Sequence, residues 1–264
     1  YKNEFVINIS KEGSAPKTNF NLTNTVELGT ISEVSTGLKS YQVGKGNPPQ
    51  DERIKTGRIF HSDRKENKTY KPYLQGVDVK RYYLDWSGEY LSYGDWLAEP
   101  RKSVPFSGDR ILVRQIPSPL PYCVNAVFTN KEYLNDINSM IVFNFKKEFH
   151  IKYVLAILNS KFISYWFAKT FDKFQRKIFP QFKVNELARF PIYKAGSKEQ
   201  GIIVNLVDKM LELNKKFKSI SENSNKWNSI KSEIEKIDKK IDEEVYKLYG
   251  LTQEEIVDVE GRNE

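Results

Sequence analysis

Cysteine and histidine are nearly missing from this chain. Its 264 residues hold one cysteine, Cys123, and two histidines, His61 and His150. One thiol closes no internal disulfide, and Cys123 sits in the apolar stretch from Tyr122 to Phe128. The expectation is a buried, inert thiol in a reducing cytoplasm. A cysteine nucleophile needs an activating base beside it, and two distant histidines offer little choice of one. The same scarcity leaves no recognisable set of zinc ligands. No apolar run reaches the roughly 18 residues that cross a membrane, and no charged-then-apolar secretory signal opens the chain. Neither a P-loop nor a G-x-G-x-x-G turn is present. The first residue is Tyr1 rather than methionine, so we expect a piece of a longer polypeptide.

What the chain does have is a core and a basic excess. Hydrophobic residues make up 39% and aromatics 13%, enough to exclude a disordered chain. The net charge of +8 is unevenly spread. Residues 1–199 carry 31 Lys and Arg against 20 Asp and Glu, a net of +11, while residues 200–264 carry 11 against 14, a net of −3. A basic body with a near-neutral helical tail suits a body that holds a polyanion and a tail that holds protein. Membrane-surface binding wants a basic amphipathic helix. The helices here mix both signs, so no membrane partner is expected.

Along the chain, Phe5 to Ile9 reads as a possible strand and Ser10 to Asn24 as a loop. Thr25 to Leu38 suits a strand that turns at Gly37. Lys39 to Asp51 is a loop by its glycines and prolines. Arg110 to Ile116 reads as a strand stopped by the Pro117–Pro121 corner, and Tyr122–Thr129 and Ser139–Phe145 as two more. From His150, the residues Ile151, Val154, Leu155, Leu158, Phe162, Tyr165 and Trp166 recur at spacings of three and four, which predicts one amphipathic helix packed on the strands between Arg110 and Phe145. Strands gather before this helix instead of alternating with helices. That favours an α+β fold, β-rich with packed helices, over a doubly wound sheet.

The tail is the most regular part. Ile203, Leu206, Met210, Leu213, Phe217 and Ile220 form a heptad seam, which Ser221–Lys226 breaks. Trp227, Ile230, Ile234, Ile237 and Ile241 resume it, so an antiparallel helical hairpin is expected. Gly250 ends the second helix, and Thr252 with Glu255 makes a capping box. The division is 1–197 for the body and 198–264 for the hairpin, which would serve dimerisation, docking or spacing.

Between Lys169 and Lys183 five basic residues face one acid, Asp172, with Phe171, Phe174, Phe179 and Phe182 interleaved. Basic groups neutralise phosphates and amides read base edges, so the segment suits nucleic acid. A solvated basic loop with inward phenylalanines has the same composition. Two other motifs invite chemistry. Asn47-Pro48-Pro49-Gln50 approaches the Asn-Pro-Pro-aromatic loop of amino-methyltransferases, but Gln50 cannot stack on a flipped base. Glu66-Asn67-Lys68 with Asp51 upstream has nuclease spacing, yet lacks apolar strand residues around it.

Several stretches, taken together, resemble the C-terminal specificity domain of TaqI-like adenine methyltransferases and of fused type IIG and IIS restriction–modification enzymes. They are Val34–Leu38 with the Gly44–Pro49 loop, and Lys71–Tyr82 with its Leu74, Gly76, Asp78, Arg81 and Tyr82. They continue with Arg110–Gln115, the helix Tyr153–Phe167 with its Leu158-Asn159-Ser160, Gln181 through Leu187 to Pro191-Ile192, and the tail Ile237–Glu255. The whole methyltransferase half of such enzymes is missing. The resemblance therefore implies a domain that grips duplex DNA and reads its sequence for a separate adenine-N6 methyltransferase domain of the parent protein, and for a nuclease where one is fused. No cofactor is expected in this chain itself; S-adenosylmethionine, and Mg²⁺ for a nuclease, belong to the missing domains. The alternative is an assembly module like half of a type I specificity subunit. Candidate DNA contacts are Tyr41, Gln42, Lys45, Arg114, Gln115, Lys173, Gln175, Arg176, Lys177, Gln181 and Lys183, with no catalytic or metal-binding residue. Arg114 stays open between contact and buried structural arginine, and Tyr41–Lys45 between groove contact and plain surface loop.

Overall fold

The computed structural model describes residues 20–171 and 183–261; the strand expected at Phe5 to Ile9 lies outside them. The chain runs through β1 (Thr25–Glu27), α1 (Leu28–Ile31), β2 (Glu33–Thr36), α2 (Glu52–Gly57), β3 (His61–Ser62) and β4 (Tyr70–Leu74). A 3-10 turn at Gly76–Asp78 leads to β5 (Val79–Lys80), β6 (Tyr83–Leu84), β7 (Tyr90–Ser92), β8 (Arg110–Arg114), β9 (Ala126–Thr129), β10 (Leu134–Asn135) and β11 (Ser139–Phe143). Then come α3 (Ile151–Asn159), α4 (Lys161–Thr170), α5 (Val184–Leu187), β12 (Pro191–Tyr193), α6 (Ser197–Phe217), α7 (Asn225–Tyr249) and α8 (Gln253–Glu260).

The central sheet has the order β2-β11-β8-β9, every pair antiparallel. Its middle strands are buried along almost their whole length, as expected of strands covered on both faces. Side chains alternate between two cores. Ile111, Val113, Ala126, Met140 and Val142 join the helices in the main core, while Leu112, Val127, Ile141 and Phe143 meet Leu74 and Val79 in a second one. A smaller sheet, β10-β4-β7-β3, encloses Leu38, Tyr73, Leu91, Leu97 and Leu134.

Two expected elements are divided. The strand expected from Thr25 breaks at α1, because Leu28 N–H donates to Phe190 O (2.9 Å) and Gly29 N–H to Ala188 O (2.8 Å). Its halves pair separately, β1 with β12 and β2 with β11. The single helix expected from His150 is two, α3 and α4. Ser160 at the joint donates to Ile157 O (2.8 Å), and its Oγ accepts Ile163 N–H (3.2 Å) to cap α4. Of Tyr122–Thr129, only Ala126–Thr129 is strand. As expected, α3 packs on β8 and β9.

The tail forms the expected hairpin, its first helix ending at Phe217, before Ile220, and its second starting at Asn225. Gly250 closes α7 with a φ of 64°, and Thr252 and Glu255 exchange the reciprocal capping bonds. The seam is spent on this chain's own body. Ile203, Val207 and Met210 of α6 and Ile237, Ile241, Val245 and Tyr249 of α7 belong to the main core, each contributing about 1.5–3 kcal/mol by burial. Near the hairpin tip, Lys218 Nζ holds Leu84 O (2.7 Å) and Asp85 (2.8 Å). No described helix is long and apolar enough to cross a membrane.

Candidate nucleic-acid interface

One end of the central sheet carries several polar side chains. Thr36 and Arg114 end β2 and β8, and Ser139 begins β11 between them, by the pairings Met140↔Thr36 and Ser139↔Arg114. The 115–125 loop and the 136–138 turn therefore emerge at this end. Two glycines clamp that turn. A Cβ on Gly37 would lie 2.1 Å from Asp136 O, and one on Gly76 would lie 2.5 Å from Asn138 O, so any side chain there forces the backbones apart. The Asp136 carboxylate accepts Asn138 N–H (3.0 Å) and Nδ2–H (2.7 Å), and Asn138 O accepts Gln115 N–H (2.8 Å). Thr36 Oγ1 donates to Ile137 O (3.2 Å).

A groove opens between Thr36, Gln115, Ile137 and Asn138 on one side and Lys183, Val184 and Asn185 on the other. Arg114 and Gln115 are half-buried, and Ile137, Lys183 and Asn185 are exposed. Among the described residues the side-chain ends of Arg114, Gln115 and Asn185 have no partner. At Lys183 it is the backbone N–H that Glu186 holds (2.7 Å).

Of the residues picked from the sequence, Gln115 and Lys183 line this groove, and Arg114 ends β8 at the same end of the sheet. Lys173, Gln175, Arg176, Lys177 and Gln181 lie outside the described residues. Tyr41, Gln42 and Lys45 belong to a different loop. The Tyr41 ring stacks on Phe60 with centroids 5.5 Å apart, and its hydroxyl accepts Phe60 N–H (2.9 Å). The same hydroxyl shares a hydrogen bond with His61 Nδ1 (2.8 Å). Burial pushes the Tyr41 hydroxyl up to about 12 and the His61 imidazole down to about 4, so both stay neutral at pH 7. Gln42 accepts from Lys39 Nζ (2.7 Å), and Lys45 is exposed. Gln50, the odd fourth member of the Pro-Pro motif, is a buried staple. It accepts Gln42 N–H (2.9 Å) and donates to Ser40 O (2.9 Å) and Trp96 O (2.7 Å). Asp51 caps α2 through Ile54 N–H (2.7 Å). Glu66 is exposed and accepts from Ser62. The described residues contain no group of three His, Cys, Asp or Glu able to hold a metal ion.

Other polar residues hold the body to the hairpin. Arg81 grips Asp238 of α7 with two bonds (2.7 and 2.9 Å), donates to Asn159 O (3.0 Å) and lies 3.7 Å over the Tyr122 ring. Burial alone would lower its pKa, but the Asp238 carboxylate outweighs that and raises it above the usual arginine range. Tyr122 donates to Asp242 (2.7 Å), which also accepts Lys161 N–H (2.9 Å). Asn159 clamps the start of β9, accepting Ala126 N–H and donating to Ala126 O, both at 2.9 Å. The buried structural arginine is Arg110, with four backbone carbonyls around it, and burial lowers its pKa to about 10. Cys123 is fully buried and its thiol is pushed up to about 12. Ile137 and Asn185 were missed as groove residues, and turn-tip positions carry no periodic signal that would have marked them.

Residues 71–192 match the family described as the TaqI-like C-terminal specificity domain. A search of curated proteins gave no match. Among solved structures, the type IIL restriction-modification enzyme MmeI in complex with DNA is similar at a TM-score of 0.54 and 11% identity, over 86% of this chain and 34% of that one. The HsdS subunit from Thermoanaerobacter tengcongensis gives a TM-score of 0.44 at 13% identity, over 90% of this chain and 47% of that one. This chain thus spans about a third of the MmeI chain it matches. The MmeI likeness shows a shared fold, mixed α and β with a helical hairpin after the sheets. The matched span contains the Arg81 turn, the central strand β8 and the Asn159 clamp, so the likeness to TaqI-like C-terminal specificity domains rests on the middle of this chain.

Proposed function

We propose that this chain reads the sequence of duplex DNA and presents that DNA to a separate adenine-N6 methyltransferase domain, with a nuclease alongside where the parent protein has one. The observation that carries this reading is the groove at the sheet end. The side-chain amides of Gln115 and Asn185 line it without partners among the described residues, beside Lys183, and Arg114 ends the strand next to it. Cations neutralise phosphates, and free amides pair with base edges. The net of +11 over residues 1–199 supports the same partner. So does MmeI, a restriction-modification enzyme described in complex with DNA. In the parent protein the methyltransferase would use S-adenosylmethionine, and a nuclease Mg²⁺.

The test is fluorescence anisotropy on random-sequence duplexes across KCl concentrations. Affinity should fall steeply as salt rises, by about 0.9 in log–log slope for each phosphate contact. The double variant Arg176→Ala/Lys177→Ala should weaken binding to every duplex and flatten the slope by about 2. Absence of binding at low salt, with the circular dichroism spectrum intact, would sink the proposal.

A further inference from the structure

The groove that offers amides also offers hydrocarbon. Among the described residues six large aliphatic side chains are exposed, and three of them, Val77, Leu120 and Ile137, stand at this end of the sheet. Val77 follows Gly76, which presses on Asn138. Leu120 caps the loop after β8. Ile137, 39% exposed, lines the groove itself beside Gln115. The turn bearing Ile137 is fixed by the Asp136–Asn138 bonds and by the contact of Gly37 with its backbone. The strand end bearing Gln115 is tied to the same turn, because Gln115 N–H donates to Asn138 O at 2.8 Å. The backbones that carry amide and hydrocarbon are therefore held at a fixed offset.

That pairing has a chemical complement. In the major groove an adenine presents an acceptor, N7, beside a donor, N6–H, which a carboxamide matches with two bonds. The thymine opposite it presents the C5-methyl group, the one hydrocarbon on any base edge. A single A·T pair thus displays one target for each side chain. Resting on the DNA-reading function proposed above, we propose that Gln115 and Ile137 together read one A·T pair, Gln115 on the adenine edge and Ile137 on the thymine methyl. Lys183 lines the same groove, a cation for a neighbouring phosphate.

The test compares two duplex libraries randomised over twenty base pairs, one made with thymine and one with deoxyuridine, which differs only by that methyl group. The wild-type chain should enrich a motif with an invariant A·T pair from the thymine library. Replacing that one thymine by deoxyuridine should weaken binding by about fourfold, the equivalent of ~0.8 kcal/mol for one buried methyl-sized group. Ile137→Ala should bind both versions equally. Gln115→Ala should lose preference for adenine at that position by about tenfold. Equal affinity of the wild type for both versions at every thymine overturns the inference, as does an unchanged methyl preference in Ile137→Ala. If salt-dependent binding persists but neither library yields a motif, sequence reading itself fails, and this inference with it. The uracil arm leaves the protein unaltered, so misfolding cannot mimic either result.

Discussion

Asp242 is a carboxyl that folding places out of reach of water. It is 1% exposed, and burial pushes its pKa up to about 6 even though Tyr122 and the Lys161 amide donate to it. Asp238, one turn back on α7, raises it further, and Lys161 lowers it. In the unfolded chain the same group loses its proton near pH ~4. The folded state thus holds the proton more tightly than the unfolded state. Its stabilisation is complete below pH ~4 and is lost as pH rises through about 6. Asp242→Asn keeps an acceptor for Lys161 and never ionises. Thermal melts from pH 4 to 7 should show the wild type losing on the order of 2 kcal/mol relative to this variant. Two parallel stability curves would contradict the assignment.

At the scale of elements, the break between α3 and α4 shows what local pattern conceals. The apolar spacing from Ile151 to Trp166 runs through Asn159 and Ser160 without a fault, so the sequence reads as one helix. The division falls at Ser160, which caps α4, and beside it the Ala126 backbone, 33 residues away, takes both ends of the Asn159 amide. Asn159→Ala leaves a buried donor and acceptor unpaired and should cost about 2–4 kcal/mol. Hydrogen exchange at Ala126 should accelerate more than exchange in α6. Equal acceleration throughout would argue against a local clamp. The hairpin was legible because its seam, its break and its caps all lie within a few residues of one another. Arg114 and Gln115 were legible as a polar end to an apolar strand. Which arginine is buried was not, since Arg110 owes its burial to carbonyls of the 106–108 and 131–133 segments. Tyr41 shows the same blindness: an aromatic ring beside polar neighbours looks alike in sequence whether it meets a base or Phe60.

For the whole molecule, the main core draws on the sheet, on α3 and α4, and on the hairpin together. Body and hairpin should therefore melt as one unit in calorimetry, with a single transition. A chain ended after Gly196 would strip Tyr153, Phe162 and their neighbours of the α6 and α7 side chains that cover them. It should lose its cooperative transition and bind hydrophobic dyes; an unchanged melt would show that the body folds alone. The pairing of β1 with β12, Thr25 against Tyr193, carries a consequence for exchange between proteins. The chain comes into the body and leaves it at neighbouring points, so residues 25–193 form a cassette that could be swapped on one socket. The socket is α7, and its lock is the pair of acids Asp238 and Asp242. A foreign cassette would seat only if it carried an arginine and a tyrosine where Arg81 and Tyr122 stand; one without them would bury both acids unanswered.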